Sequence, residues 1–226
     1  MSFRLGTITI GQSPRQDVIP EMLPYLGTWV EILEAGALDG LSYEEIQTLK
    51  PEQGDYVLVS TLRDGREVKF AEKHILGRLQ DCIDRLEEKK VQAIAFICTG
   101  KFPDIFRASV PLIYPQVILH RIVPELSGTK KIGVVIPDPE QIEQTRIKWK
   151  DAGLEARVIP WSPYDKKVTG TLPDLTGFSD PSLDLIIMDC IGYTAGMKQL
   201  VLQETHKPVI LARTLVARIL GELGDS

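Results

Sequence analysis

Two of the three cysteines in this 226-residue chain, Cys98 and Cys190, close apolar runs of the same kind. Ala93-Ile94-Ala95-Phe96-Ile97-Cys98-Thr99-Gly100 matches Leu185-Ile186-Ile187-Met188-Asp189-Cys190-Ile191-Gly192, and both runs end in Cys-x-Gly. A lone cysteine at a strand end is ordinary packing material. A pair at matched positions of a repeat is instead a candidate acid/base pair. Free N–H groups at a helix start would favour the thiolate, which is the form a base or nucleophile needs. Cys82 falls on a helical stripe with Ile75, Leu79, Ile83 and Leu86 and reads as core.

Other residues could serve the same chemistry. Gly11-Gln12-Ser13-Pro14-Arg15 has the composition of an anion cradle, with Gln12, Ser13 and Arg15 suited to a carboxylate. It reads equally as an N-cap serine, a proline at the first helical position and a surface arginine. Ser60 and Thr61 could add hydroxyls at the same edge. Thr99 and Gly100, and Gly192, Tyr193 and Thr194, flank the two cysteines, where glycine lets a ligand approach the backbone. Tyr193 has a packing alternative. Asp189 should point away from Cys190 by strand alternation. His120 could carry a proton to a cleft or be a satisfied structural group. His74, His120 and His206 lack metal-ligand spacing, so no metal site is expected. The Gly11 loop lacks the further glycines of a dinucleotide fingerprint. Gly100-Lys101 lacks the earlier glycine of a P-loop, so no nucleotide cofactor is expected either.

These residues need strand ends to hold them, and short β-branched runs alternating with helical patterns supply such ends. The expected strands are Leu5 to Ile10, Val30 to Ala35, Tyr56 to Leu62, Gln92 to Cys98, Val117 to His120, Ile132 to Pro137, Glu155 to Ile159, Leu183 to Cys190 and Pro208 to Leu211. Most are continuous apolar runs, as parallel strands covered on both faces should be. Arg63-Asp64-Gly65-Arg66 predicts a tight hairpin turn. Ser42 with Glu45 three residues on predicts a capping box. Helices are expected over Phe70 to Lys90, Pro139 to Asp151, Thr194 to His206 and Thr214 to Leu223. A second repeat pairs Arg4-Leu5-Gly6-Thr7-Ile8-Thr9-Ile10 with Lys131-Ile132-Gly133-Val134-Val135-Ile136. The chain thus predicts an α/β fold of two related halves, each with parallel strands and one thiol. The first half is longer by the hairpin near Val57 to Phe70.

A net charge of -5 argues against a nucleic-acid partner, because phosphate binding needs a concentrated basic surface. No run of eighteen apolar residues suggests a membrane span, the start reads as a strand rather than a leader, and free thiols suit a reducing compartment. A cytoplasmic protein is the expectation.

Thr9-Ile10-Gly11-Gln12-Ser13-Pro14-Arg15, Ile132-Gly133-Val134-Val135-Ile136-Pro137 and Met188-Asp189-Cys190-Ile191-Gly192-Tyr193 resemble the AroM family, within the broader aspartate/glutamate racemase-like superfamily. That resemblance implies two pseudo-symmetric flavodoxin-like lobes with parallel sheets and an interlobe cleft, divided as 1–112 plus 210–226 against 113–209. It also implies a cofactor-independent racemase or isomerase. In such an enzyme Cys98 and Cys190 would exchange protons on opposite faces of a small carboxylic acid, with Ser13, Thr99 and Thr194 as anion-stabilising donors. The chain departs from the superfamily's amino-acid racemases, which carry Cys-Asn-Thr and Cys-Thr-His where this chain has Cys98-Thr99-Gly100 and Cys190-Ile191-Gly192. A non-catalytic carboxylate-binding or regulatory protein, and a one-cysteine decarboxylase or isomerase, are the alternatives. The sequence leaves the substrate and the oligomeric state open, a homodimer included.

Overall fold

The computed structural model describes residues 2–164 and 171–224. In the first half, β1 (Phe3–Thr9), α1 (Ile19–Leu26), β2 (Val30–Gly36), α2 (Tyr43–Gln47), β3 (Val57–Thr61), β4 (Glu67–Ala71), α3 (Leu76–Glu88), β5 (Ala93–Phe96), β6 (Leu112–Ile113) and α4 (Pro115–Leu126) follow in order. The second half holds β7 (Lys131–Ile136), α5 (Ile142–Asp151), β8 (Glu155–Pro160), β9 (Leu185–Met188), α6 (Ala195–Thr205), β10 (Val209–Leu211) and α7 (Ala212–Gly221). Two four-stranded sheets form, in the orders β2-β1-β5-β6 and β8-β7-β9-β10, and every pairing within them is parallel. The orders superpose term by term, so the repeats seen in sequence are β1 with β7 and β5 with β9. The fold is α/β with two pseudo-symmetric lobes.

Strand alternation decides which residues each layer receives. From β1, β5, β7 and β9, residues Leu5, Ala93, Ala95, Ile132, Val134, Leu185 and Ile187 enter one shared core. Between the sheets that core takes Met22 and Leu26 of α1, Leu119 and Val123 of α4, Trp149 of α5, and Val216 and Leu220 of α7. The closing helices cross between the two halves of the sequence: Gly221 of α7 abuts the backbone of Tyr25 on α1, and His120 of α4 packs on Trp149 of α5 with ring centroids 4.8 Å apart. The opposite parity, Ile94 and Phe96 or Ile186 and Met188, faces two separate outer cores.

The β3–β4 hairpin turns at Gly65, whose φ of +83° is the left-handed conformation the Asp-Gly pair predicts. The Ser42 capping box is present in both directions. Two expected elements are different. Val117 to His120 is helical, because Pro115 stands at the start of α4 and the buried residues Leu119 and Val123 recur four apart. Phe70 belongs to β4 rather than to a long helix, since Phe70 pairs with Leu58 and Val68 with Ser60, and α3 begins only at Leu76. Among the described residues no helix is long and apolar enough to cross a membrane.

Candidate active site

Both repeated cysteines stand two residues beyond a sheet strand, Cys98 after β5 and Cys190 after β9. The carboxyl ends of parallel strands are where ligands bind in open α/β sheets. One cavity of about 40 Å³ is lined by both cysteines together with Arg15, Tyr56, Ser60, Thr99, Gly100, Lys148, Tyr164 and Asp189. The local geometry of the two thiols is the same: Gly100 N–H donates to Cys98 Sγ at 3.3 Å, and Gly192 N–H donates to Cys190 Sγ at 3.3 Å. Both glycines sit close to neighbouring side chains, Gly192 the more tightly. A Cβ at Gly192 would lie 2.4 Å from the Tyr164 hydroxyl, and one at Gly100 would lie 3.0 Å from Leu58.

Neither cysteine starts a helix, contrary to expectation. The segment after Cys98 stays irregular as far as β6, and α6 begins only at Ala195, with Thr194 as its cap through Met197 N–H at 3.2 Å. Burial therefore outweighs the local donors. It pushes Cys98 up to about 12, despite Gly100 N–H, and it raises Cys190 despite Gly192 N–H, the Tyr164 hydroxyl and Arg15. The two thiols differ in their surroundings. Tyr164 Oη lies 3.6 Å from Cys190 Sγ, and the Arg15 guanidinium carbon lies 5.8 Å from the Tyr164 ring centre. Lys148 faces Cys98 instead.

Lys148, on the inward side of α5, is buried with its Nζ 2.7 Å from Asp189 Oδ2 and donates to Thr99 O at 3.2 Å. Burial disfavours the ammonium, yet Asp189 and Tyr56 hold its pKa above that of free lysine. Asp189 also accepts from Trp149 Nε1 at 2.9 Å, and its carbonyl accepts from Thr99 Oγ1 at 2.9 Å. Asp189 does point away from Cys190, as alternation requires. That direction is the interlobe side, so it reaches the cavity wall nearest Cys98. Ser60 is fully buried, and among the described residues its hydroxyl has no partner.

The remaining expected residues have other surroundings. The Gly11–Arg15 loop does cradle an anion, but the anion is the chain's own Asp39, whose carboxylate accepts from Ser13 N at 2.8 Å and Ser13 Oγ at 2.6 Å. Gln12 accepts from Arg63 N at 3.1 Å, and Gln12 and Thr61 line a neighbouring pocket on the far side of Arg15. Arg15 itself is buried between the two pockets, held by Asp17 at 2.6 Å and Thr9 Oγ1 at 3.0 Å. Tyr193 is a packing aromatic of the outer core, its hydroxyl donating to Trp161 O at 2.7 Å. His120 bonds Gln116 at 2.8 Å and lines a surface pocket that includes neither thiol. Tyr56, Lys148 and Tyr164 escaped the sequence reading, which weighed Asp189 and set it aside as pointing away from Cys190. For Lys148 a signal existed: it shares the buried side of α5 with Thr145 and Trp149.

No curated protein sequence matches this chain significantly. Among solved structures, the maleate isomerase Iso from Pseudomonas putida S16 superposes with a TM-score of 0.59 at 16% identity, over 99% of this chain and 93% of its own. The aspartate racemase of Picrophilus torridus gives 0.64 at 11% identity over 98% and 94%. Unliganded arylmalonate decarboxylase gives 0.58 at 12% identity over 100% and 95%. At such identities the likeness is one of fold. The sequence itself is matched over residues 5–224 by the family described as AroM protein, and the chain belongs to the AroM family.

Proposed function

We propose that the protein is a racemase- or isomerase-like enzyme that moves a proton on a small carboxylic acid, with Cys98 and Cys190 as its acid/base pair. The observation that carries this reading is the placement of two thiols, from equivalent positions of the two lobes, on one cavity. The similar folds named isomerase, racemase and decarboxylase are consistent with it.

Proton removal beside a carboxylate builds charge on that carboxylate, so donors must strengthen as the carbanion forms. Arg15 and the unpartnered Ser60 hydroxyl are the groups placed to do so. Cys190, with Tyr164 and Arg15 beside it, is the proton acceptor; Cys98, held protonated by burial, is the donor on the opposite face. The substrate's hydrogen ends on Cys190 and the Cys98 hydrogen ends on carbon, so the scheme needs no cofactor. A cavity of about 40 Å³ has room for no more than a few waters. On this reading the lobes, 1–112 with 210–226 and 113–209, part to admit the substrate. A binding protein without turnover is the second reading, favoured by His120 lying away from both thiols.

The test is solvent deuterium wash-in, followed by NMR, across a panel of small hydroxy, dicarboxylic and amino acids. Exchange at one carbon is expected, and Cys98→Ser or Cys190→Ser should lower turnover by about 10²-fold or more. Full turnover in both serine variants would falsify the two-thiol scheme, and saturable binding without exchange would favour the binding reading.

A further inference from the structure

The peptide group after each active-site cysteine is gripped from both sides. Gly100 N–H donates to Cys98 Sγ at 3.3 Å, and the carbonyl of that same peptide, Thr99 O, accepts from Lys148 Nζ at 3.2 Å. In the other half, Gly192 N–H donates to Cys190 Sγ at 3.3 Å, and the carbonyl of its peptide, Ile191 O, accepts from Arg213 Nε at 2.8 Å. Arg213 Nη2 adds a bond to Gly192 O at 2.9 Å, and its Nη1 lies 2.8 Å from Glu21 Oε2. Lys148 and Arg213 are both buried, so solvent does little to screen them.

A cation on an amide oxygen draws electron density from the nitrogen and makes the N–H a stronger donor. Bonds chained in this way polarise one another, and those ending on charged groups are the strong ones. The strengthened N–H favours a sulfur that bears charge over one that bears a proton. We propose that Lys148, through the Thr99–Gly100 peptide, and Arg213, through the Ile191–Gly192 peptide, are positioning residues that stabilise the thiolates of Cys98 and Cys190 respectively. Each cation thereby offsets part of the burial that disfavours its own thiolate. The inference takes the role of the thiolates in turnover from the proposed function, but the relay itself is a property of the resting protein.

Other charged and titratable groups face these sulfurs: Asp189, Tyr56 and Cys190 around Cys98, and Tyr164, Arg15, Asp189, Tyr193 and Cys98 around Cys190. The test must therefore change one cation and compare two sulfurs. In the full chain carrying Cys82→Ser, iodoacetamide alkylation of Cys98 and Cys190 is followed by peptide mass spectrometry across pH. Lys148→Met should move the Cys98 profile up by about one pH unit, a roughly tenfold loss of thiolate, and leave Cys190 in place. Arg213→Met should do the reverse, and Lys148→Arg and Arg213→Lys should restore most of each shift. In nitrogen-edited spectra the Gly100 amide proton should move upfield in Lys148→Met, and that of Gly192 in Arg213→Met. Should a Met variant fail to fold, Lys148→Gln or Arg213→Gln, which remove the charge but keep a neutral donor, carry the same expectation. Unshifted profiles, or profiles that move together at both sulfurs, overturn the relay. A thiol shift without an amide shift overturns it too, by assigning the effect to charge acting through space. Because alkylation needs no substrate, failure of the relay and failure of the deuterium experiment are separate results.

Discussion

Burial without a partner moves a carboxyl group, and Glu72, in the short turn after β4, is such a case: one oxygen is buried and unpaired among the described residues, and burial pushes the group from 4.5 up to about 7. The folded state then holds its proton more tightly than the unfolded chain, so this group favours folding below pH 4.5 and loses that contribution as pH rises through 7. Glu72→Gln should leave stability unchanged near pH 4 and raise it at pH 8 by roughly 1 kcal/mol, once solvent screening of a half-buried group is allowed for. Denaturant titrations at the two pH values check this, and an equal effect at both would refute it. His120 tilts the curve the other way, since burial first and Lys148 second lower it to about 4, and its contribution is lost as pH falls from 6.5 toward that value. At this scale the sequence was legible where residues repeat: Cys98 and Cys190 line one cavity, and Cys82 is core. It was silent on Tyr164, which reaches Cys190 from a loop with no periodicity, and it read the Ser13 loop without the distant Asp39 that fills it.

The β3–β4 hairpin is the element by which the first half exceeds the second, and it closes one side of the cavity with Tyr56, Leu58 and Ser60. It is tied to the other lobe. Val57 O accepts from Gln141 at 3.0 Å and Gln144 at 2.9 Å, Lys69 Nζ meets Asp138 at 2.9 Å and Glu140 at 2.8 Å, and Ser162 bonds Glu67. Lys69→Met removes a partly buried tie of about 1 kcal/mol, so excursions of the hairpin should become about fivefold more frequent. Alkylation of Cys98 and Cys190 should quicken by that factor while Cys82, on α3, keeps its rate; quickening of all three together would mean general loosening instead. The hairpin was readable because Asp64-Gly65 fixes its turn locally. Val117 to His120 misled because a β-branched run carries no sign of its partner, whereas Pro115 and the spacing of Leu119 and Val123 select the helix. The irregular stretch after Cys98, where a helix start was expected, depends on long-range packing that no local pattern encodes.

Across the whole molecule, the shared core joins both sheets through α1, α4, α5 and α7, so neither half buries its inner face without the other. Unfolding should therefore be one transition, with tryptophan fluorescence and far-UV circular dichroism coinciding in denaturant. Ile187→Ala should lower that single midpoint by about 2–5 kcal/mol of stability. Two resolved transitions, or a mutant effect confined to one probe, would show that the halves fold independently. The two-lobed plan was visible in the repeats, whereas the exchange of the closing segments between the halves was expected only from the family resemblance, because repetition reports what the halves share and not how they interlock. The cations beneath the two cysteine loops bear on the origin of that plan. Lys148 stands on α5, the counterpart of α1, whereas Arg213 stands on α7, the counterpart of α4. If the halves descend from one ancestral unit by gene duplication, a cation already present in the ancestor would sit on the same helix in both copies. Two different helices mean that the cation pattern changed, by gain or by loss, in at least one copy after the two diverged.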